Sequence, residues 1–333
     1  MHVMRYEDGL WPNLTALGYA VTAYVAGWSL LFSDSLLSFV IGVLLVAHGM
    51  VIAAYLLHEC AHNTIFIKNE WNARLGKVLM WFTGACYGDY EEIRHKHFRH
   101  HVDRGDVTHF DYRRLLRERP WLLKSIRWLE WFYIPAVEIL MHALSIALPF
   151  RVESRRHLRT HVITVLVIRV LVLAAVITVA PMAMVGYGVA YLLFMTVLRF
   201  MDAFQHTYDI VEVRDSKSDA TIDRHDSNYE YHNTYSNFIS TQHPWLNLLT
   251  LNFCFHNAHH IKPTLPWYRL LRFNREYFGD NHRQVISFRE QLRMFHQFRQ
   301  QRVLSEEATV TDNTFTRGIA YVGVDGVSFL LAH

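Results

Sequence analysis

Eight histidines of this chain lie in three short clusters whose composition suggests metal chemistry. His58 and His62 stand in HECAH, His97, His100 and His101 in HFRHH, and His256, His259 and His260 in HNAHH. With 22 histidines in 333 residues, only ~0.1 matches to H-x-x-H-H are expected by chance, and two are present. Imidazole nitrogens collected in this way indicate a transition-metal centre.

The spacing within the clusters suggests that more than one metal is bound. His58 and His62 are four residues apart, so they share one face of a helix. The adjacent third histidine of H-x-x-H-H points in another direction, so one helix can serve two neighbouring metals. Eight imidazoles exceed the four positions of a tetrahedral zinc site, whereas they suit two iron ions with positions left for oxygen. Imidazole alone does not choose among zinc, copper, iron and nickel.

Long apolar segments must position these clusters. Four of them are long enough to cross a hydrocarbon layer about 30 Å thick: residues 14–32, 36–57, 161–180 and 182–201. The first two are separated only by residues 33–35 and the last two by Pro181, so we expect two helical hairpins. Arg169 interrupts the third span, where a central charge costs about 2.5–3.5 kcal/mol, and we expect it to reach the interface or find a partner.

Counting spans predicts that all three clusters share one compartment. Two hairpins place residues 1–13, 58–160 and 202–333 on the same side of the membrane. Arginines lie on that side in two groups, Arg113, Arg114, Arg117 and Arg119, then Arg151, Arg155, Arg156 and Arg159. The positive-inside rule makes this side cytoplasmic, with both termini there, and an inner-membrane location follows if the source is bacterial. A solvated helix face is the alternative for either arginine group.

The composition argues against a nucleic-acid-binding protein and against a protein held together by disulfides. A formal charge of +3 is too small to indicate nucleic-acid binding, and three cysteines do not make a disulfide framework.

Residues 71–87 and 126–150 are moderately apolar and rich in Trp, so we expect helices on or beneath the membrane surface, with a fifth crossing as the alternative for the second segment. Residues 287–302 form an amphipathic pattern, and Asp325-Gly326 predicts a hairpin turn between two short apolar runs.

The order HECAH, HFRHH, HNAHH resembles the membrane fatty acid desaturase family, and the resemblance covers roughly residues 30–275. It implies an all-α membrane protein with about four transmembrane helices in two hairpins beneath a helical cytosolic cap that holds a dimetal site. Residues 1–280 would form the desaturase-like domain, and residues 281–333 would add the amphipathic helix and hairpin. In this family the residues that match the eight box histidines bind two iron ions.

The resemblance also singles out the segment RFMDAFQHT, which follows the fourth span. Acyl desaturases tend to carry a further ligand histidine there, with an Asn one turn earlier. His206 matches the histidine and is expected to be a ninth ligand. Asp202 replaces the Asn, and its carboxylate either binds iron directly or accepts a hydrogen bond from a ligand imidazole. Pairing with Arg199 at the interface is the alternative for Asp202.

Carboxylates near the second box suit a supporting role. Asp103, Asp106 and Asp111 follow HFRHH closely, and a metal-bound imidazole commonly donates its second N–H to such a group. Loop solvation is the alternative for these three residues.

Taken together, these features predict an iron- and O2-dependent fatty acyl desaturase. Hydroxylation and terminal-alkene-forming decarboxylation use the same boxes, so both stay open. Electrons are expected from a separate ferredoxin, rubredoxin or cytochrome b5-type donor with its reductase, because the sequence has no haem-binding H-P-G-G. A membrane zinc hydroxylase and a non-catalytic metal carrier are rivals, although transport sites usually lie at mid-membrane on the spans.

Overall fold

A computed structural model describes residues 3–108, 110–208, 211–213, 227–279, 284–304 and 322–325. The chain forms two compact units. Residues 1–90 and 143–197 make the first unit, and residues 91–142 and 198–333 make the second. Most of the hairpin predicted around Asp325-Gly326 lies outside the described residues, and residues 322–325 are not a strand.

The first unit is built on long apolar helices. They are α1 (Leu10–Leu31), α2 (Leu36–Ala61), α8 (Arg159–Val179) and α9 (Pro181–Asp202), the last of which continues into the second unit. Four helices of the described residues, Glu7–Leu31, Leu36–Ala61, Glu153–Val179 and Pro181–Asp202, are long and apolar enough to cross a membrane. The four predicted spans and the all-α membrane fold are therefore confirmed.

Small residues let α1 and α2 approach closely. A Cβ added to Gly27 would stand 2.9 Å from the Gly42 carbonyl oxygen, and one added to Gly49 would stand 3.0 Å from the Ala20 carbonyl oxygen. Helices in membranes associate through such small-residue contacts because lipid supplies little hydrophobic driving force. The tight crossing fixes the helix that ends in the first histidine cluster.

The helix α3 (Asn69–Thr83) packs beside the spans, whereas the sequence predicted a helix on or beneath the membrane surface. The ring of Phe82, near its end, lies 4.8 Å from the ring of Tyr24, well inside α1. The Thr83 carbonyl accepts a hydrogen bond from the Tyr191 hydroxyl at 3.3 Å, from the middle of α9. The end of α3 thus reaches the middle of the spans, and the chain turns back at Gly84, whose φ is +80°.

Arg169 finds its partners at this turn. Its guanidinium donates to the Trp81 carbonyl at 2.7 Å and lies over the Trp81 and Tyr87 rings. The carbonyls at the C-terminal end of a helix carry partial negative charge. The carbonyl of α3 and the aromatic faces therefore stabilise the charge that interrupts the third span.

The second unit holds the remaining elements. Its helices are α4 (Tyr90–Asp103), which begins in the first unit, α5 (Tyr112–Arg117), α6 (Pro120–Trp131), α7 (Ala136–Arg151), which ends in the first unit, α10 (Ser227–His232), α11 (His256–Ile261), α12 (Trp267–Phe278) and α13 (Phe288–Gln297). Two short strands, β1 (Asp106–Thr108) and β2 (Val211–Val213), pair in parallel. The segment predicted as an amphipathic helix contains α13, which begins with a capping box between Ser287 and Glu290.

Five buried charged residues connect α6, α7, α9 and the C-terminal segment of the second unit. We call Glu130, Glu138, Arg199, Arg302 and Asp325 the charge cluster; each is at most 5% exposed. Arg199 lies 2.5 Å from Glu130, 3.1 Å from Asp325 and 3.6 Å from Glu138. Arg302 lies 3.1 Å from the same Asp325 oxygen. Three carboxyl groups thus share two guanidinium groups in a site shielded from water.

Candidate metal centre

The first box lies at the end of α2 in the first unit. The rings of His58 and His62 are 4.6 Å apart, and both side chains are buried, as the four-residue spacing predicted. Thr64 donates its hydroxyl to the Glu59 carboxylate at 2.6 Å. Asn63 adopts a positive φ of 55°, which turns the chain directly after His62. The two imidazoles are therefore held as a pair where the helix ends.

The second and third boxes meet in the second unit. On α4, His97 and His101 are one turn apart, with Nε2 atoms 3.2 Å from each other. On α11, His259 places its Nε2 3.1 Å from that of His101. These three residues form one cluster, which we call the 97/101/259 cluster.

A second cluster includes the residue predicted as the ninth ligand. His206 follows the end of α9, and its Nε2 lies 3.1 Å from Nε2 of His100 and 2.7 Å from Nε2 of His256. With His260, these histidines offer four nitrogens within 4.8 Å of one another. We call this set the 100/206/256/260 cluster. The structure therefore brings His206 to the boxes, where the resemblance had placed it.

The donor set fits a metal. Two nitrogens bound to one metal at about 2.0–2.1 Å stand roughly 2.8–3.4 Å apart in octahedral or tetrahedral geometry, close to the separations in both clusters. Burial lowers the pKa of His206 and of His256 well below 6.5, and their neighbouring histidines lower it further. The imidazoles of His206 and His256 are therefore neutral, which is the form that binds metals. Buried His260 Nε2 has no hydrogen-bond partner among the described residues, which suits a nitrogen that faces a cation.

Two of these histidines are oriented through their second nitrogen. His100 Nδ1 lies 3.0 Å from the Gly105 carbonyl oxygen and 3.5 Å from the Asp106 carboxylate. His260 Nδ1 lies 2.9 Å from the Glu230 carboxylate. A neutral imidazole that donates from Nδ1 leaves the Nε2 lone pair for the metal. Both histidines are thus fixed in the tautomer that metal binding requires.

Glu230 is the residue that sequence reasoning missed. Its second carboxylate oxygen accepts a hydrogen bond from Arg104 at 3.1 Å. It also forms with His101 and His260 a third set of groups that could hold a metal. Burial would raise the pKa of Glu230, but hydrogen bonds and charge from His260 and Arg104 lower it overall. No local motif marks this residue, because its partners are distant along the chain.

The three aspartates after the second box have different surroundings. Asp106 lies near His100, as the sequence predicted for a supporting carboxylate. Asp103 lies 2.8 Å from Arg99. Asp111 accepts from the backbone N–H of Arg114 and caps α5. The supporting role is therefore indicated by an observed distance for Asp106.

Asp202 lines a small cavity beside the 100/206/256/260 cluster. The cavity is about 40 Å³, and its walls include Lys96, Asp106, Gln205 and Phe253. Burial lowers the pKa of Lys96 to about 7, although Asp202 and Asp106 oppose the shift. The partners of Arg199 among the described residues are members of the charge cluster, so its alternative pairing with Asp202 is not observed. Direct metal binding by Asp202 stays a prediction, since it belongs to none of the grouped donor sets of the described residues.

An aromatic residue packs against His206. The ring of Tyr208 stacks on that of His206 at 4.4 Å with 19° between the planes. Its hydroxyl lies 3.2 Å from that of Thr234, and the residue is 2% exposed. This packing limits the rotation of the His206 ring and keeps water away from it.

Comparison with models of protein families gives a match over most of the chain. The model of a family described as fatty acid desaturase matches residues 34–291. The match includes all three histidine boxes, His206 and Glu230. No curated protein matches the chain.

Proposed function

Because the chain belongs to the fatty acid desaturase family, we propose that it is a membrane-bound diiron enzyme that uses O2 to introduce a double bond into a lipid acyl chain. The family makes it an oxidoreductase with a fatty acyl substrate, and the four apolar helices suit an integral membrane protein. Family membership supports the oxidoreductase and its substrate class, and we propose the two irons and the desaturation in addition.

The observation that carries the proposal is the 100/206/256/260 cluster, in which His206, His256 and His260 are buried and His100 is half-buried. Its four imidazoles come from α4, from the segment after α9 and from α11, so only the folded chain assembles it. The 97/101/259 cluster lies on the same two helices, α4 and α11. Seven imidazoles in two adjoining sets exceed the coordination of one metal and suit two.

The remaining ligands follow from the family resemblance. We propose that His58 and His62 are further ligands of the two metals, as the matching residues are in the family. Asp202 stays a candidate ligand or hydrogen-bond acceptor at the other metal. Iron is proposed over zinc because activation of O2 at a methylene requires a redox metal.

The protein's own part is to hold the ligands and exclude water. The metals, when bound, would supply the oxidation of an unactivated C–H bond by O2. The overall reaction consumes one O2, two electrons and two protons, removes two hydrogens from adjacent methylenes, and releases two waters. The cavity beside the 100/206/256/260 cluster is lined by three of its histidines, His100, His206 and His256. Gly105 and Glu230 keep His100 and His260 in the required tautomer.

Topology and partners are proposed with the activity. We propose that both termini and the boxes lie on one side of the membrane, because an even number of spans with short outer turns would return the chain to that side. The arginine groups favour the cytoplasmic side. We propose that a separate donor of the ferredoxin, rubredoxin or cytochrome b5 type delivers the two electrons.

Expression of the chain with an electron donor, followed by mass spectrometry of cell lipids and headspace gas, tests this function. We expect a new internal double bond that His100→Ala abolishes. A new hydroxyl group would identify a hydroxylase, and a volatile 1-alkene would identify a decarboxylase. Unchanged lipids from cells that hold the iron-loaded protein would refute the oxidase and favour a metal carrier.

A further inference from the structure

A short C-terminal segment is buried in the second unit. Val322 is 7% exposed, Val324 is 4% exposed and Asp325 is 1% exposed. The Val324 N–H donates to the Ala203 carbonyl at 3.0 Å, and the Asp325 carbonyl accepts from the Tyr112 hydroxyl at 2.7 Å. The segment therefore makes backbone hydrogen bonds to two parts of the unit that are distant in sequence.

Two arginines bind its carboxylate. Asp325 Oδ1 accepts from Arg199 Nε and from Arg302 Nε, both at 3.1 Å. Arg302 also donates to the Val322 carbonyl at 3.0 Å and is itself fully buried. Burial lowers the pKa of Arg302 to about 10, although Asp325 opposes the shift. One guanidinium thus holds both ends of the segment.

The glycine of the segment is required by its surroundings. Gly323 has a φ of +85°, which L side chains rarely adopt. A Cβ at this position would stand 2.8 Å from the Ala203 carbonyl oxygen and 3.1 Å from Arg302 Cδ. The site therefore selects for the backbone shape of Val-Gly-Val-Asp as well as for its charge.

This segment contacts the part of the chain that leads to a ligand histidine. Arg199 lies in the last turns of α9, and Ala203 follows the helix, three residues before His206. Arg302 lies over the ring of Phe204. Both the helix end and the backbone just before His206 are therefore held by the C-terminal segment.

We propose that Val322–Asp325 is an intramolecular peptide ligand, and that Tyr112, Arg199, Ala203 and Arg302 form a binding site for an acidic peptide of this shape. Occupancy of the site positions His206, and Asp325 acts as a positioning residue through Arg199 and the end of α9. The peptide site itself does not depend on the proposed function; its effect on metal binding does.

Cleavage within the folded full-length chain tests the peptide site. A protease recognition sequence inserted after Asp312 lets the fragment 313–333 be cut after folding in detergent. We expect this fragment to remain bound during gel filtration. Asp325→Asn should speed its dissociation about 100-fold, because a buried guanidinium pair loses its carboxylate, and Gly323→Ala should also release it. Gly318→Ala is the matched control in the same fragment and should leave it bound.

Metal binding tests the positioning role separately. After the Asp325→Asn fragment has been cut, has dissociated and has been washed away, Co2+ affinity at the 100/206/256/260 cluster should fall at least about tenfold. The affinity should recover as a synthetic wild-type 313–333 peptide is added. A fragment that dissociates at once from the wild-type chain overturns the peptide site. A stripped chain that binds Co2+ as tightly as the intact chain overturns the positioning role.

If the stripped chain unfolds, the full-length variant Gly323→Ala is measured instead. An unchanged Co2+ affinity of that variant contradicts the proposal. Failure of the intact wild type to bind metal would instead contradict the proposed function.

Discussion

Replacing Glu230 by alanine should weaken metal binding about 10- to 100-fold, the range for partners that orient a ligand histidine. The change removes the acceptor 2.9 Å from His260 Nδ1 and the partner 3.1 Å from Arg104 Nε. An unsatisfied buried donor costs about 1–3 kcal/mol, and 10- to 100-fold corresponds to about 1.4–2.7 kcal/mol. The cost of an unsatisfied donor and the expected loss of affinity agree, so loss of the hydrogen bond from His260 to Glu230 accounts for the effect. Glu230→Gln keeps an oxygen acceptor and should lose less than about tenfold.

Competition between the protein and a coloured chelator for Co2+ measures these affinities. Glu118→Gln is the matched control, because Glu118 is exposed and pairs only with Arg114 on α5 among the contacts described. Its affinity should equal that of the wild type. If Glu230→Ala binds Co2+ within twofold of the wild type, the carboxylate does not orient His260, and the reasoning is refuted.

Three further predictions concern other parts of the molecule. His206→Ala should lower the metal affinity by more than about 100-fold, because a direct ligand exceeds an orienting partner, and metal analysis with turnover assays checks this. Burial raises the pKa of Glu138 to about 8, with Arg199 opposing the shift and the other carboxyl groups of the charge cluster adding to it. The folded chain therefore holds a proton that an unfolded chain releases near pH 4.5, so the free energy of unfolding should fall as the pH rises from about 5 to 8. Glu138→Gln should flatten this profile in denaturant titrations. Gly84→Ala should destabilise the fold by about 1–3 kcal/mol, since φ is +80° and the added Cβ would stand 2.2 Å from the Tyr191 hydroxyl. Thermal melts check this, with Gly188→Ala as the control. A Cβ at Gly188 meets open space, so that variant should keep the melting temperature of the wild type.

The parts of the fold that the sequence predicted are those with local signals. The four spans are continuous apolar runs, and hydrophobic burial in lipid leaves a backbone of that length no alternative to a helix. The pairing of His58 with His62 follows from helical periodicity alone. Bringing His100 together with His256 required the family resemblance, because no local pattern relates α4 to α11.

The parts that could not be predicted depend on distant partners. The end of α3 lies among the spans because Arg169 and Tyr191 bind its last carbonyls, and its moderate hydropathy equally suited a surface helix. The sequence predicts a turn at Asp325, since Asp-Gly is a strong hairpin signal. Its burial becomes favourable only when Arg199 and Arg302 are placed beside it. Glu230 likewise acquires its role from Arg104 and His260.

The metal content of the purified protein tests the central claim most directly. Elemental analysis combined with Mössbauer spectroscopy of protein from iron-supplemented cells should give two iron ions per chain, coupled as a pair. His100→Ala should lose at least one of them. A single iron, a predominance of zinc, or a content that His100→Ala leaves unchanged would contradict a diiron centre held by these histidines.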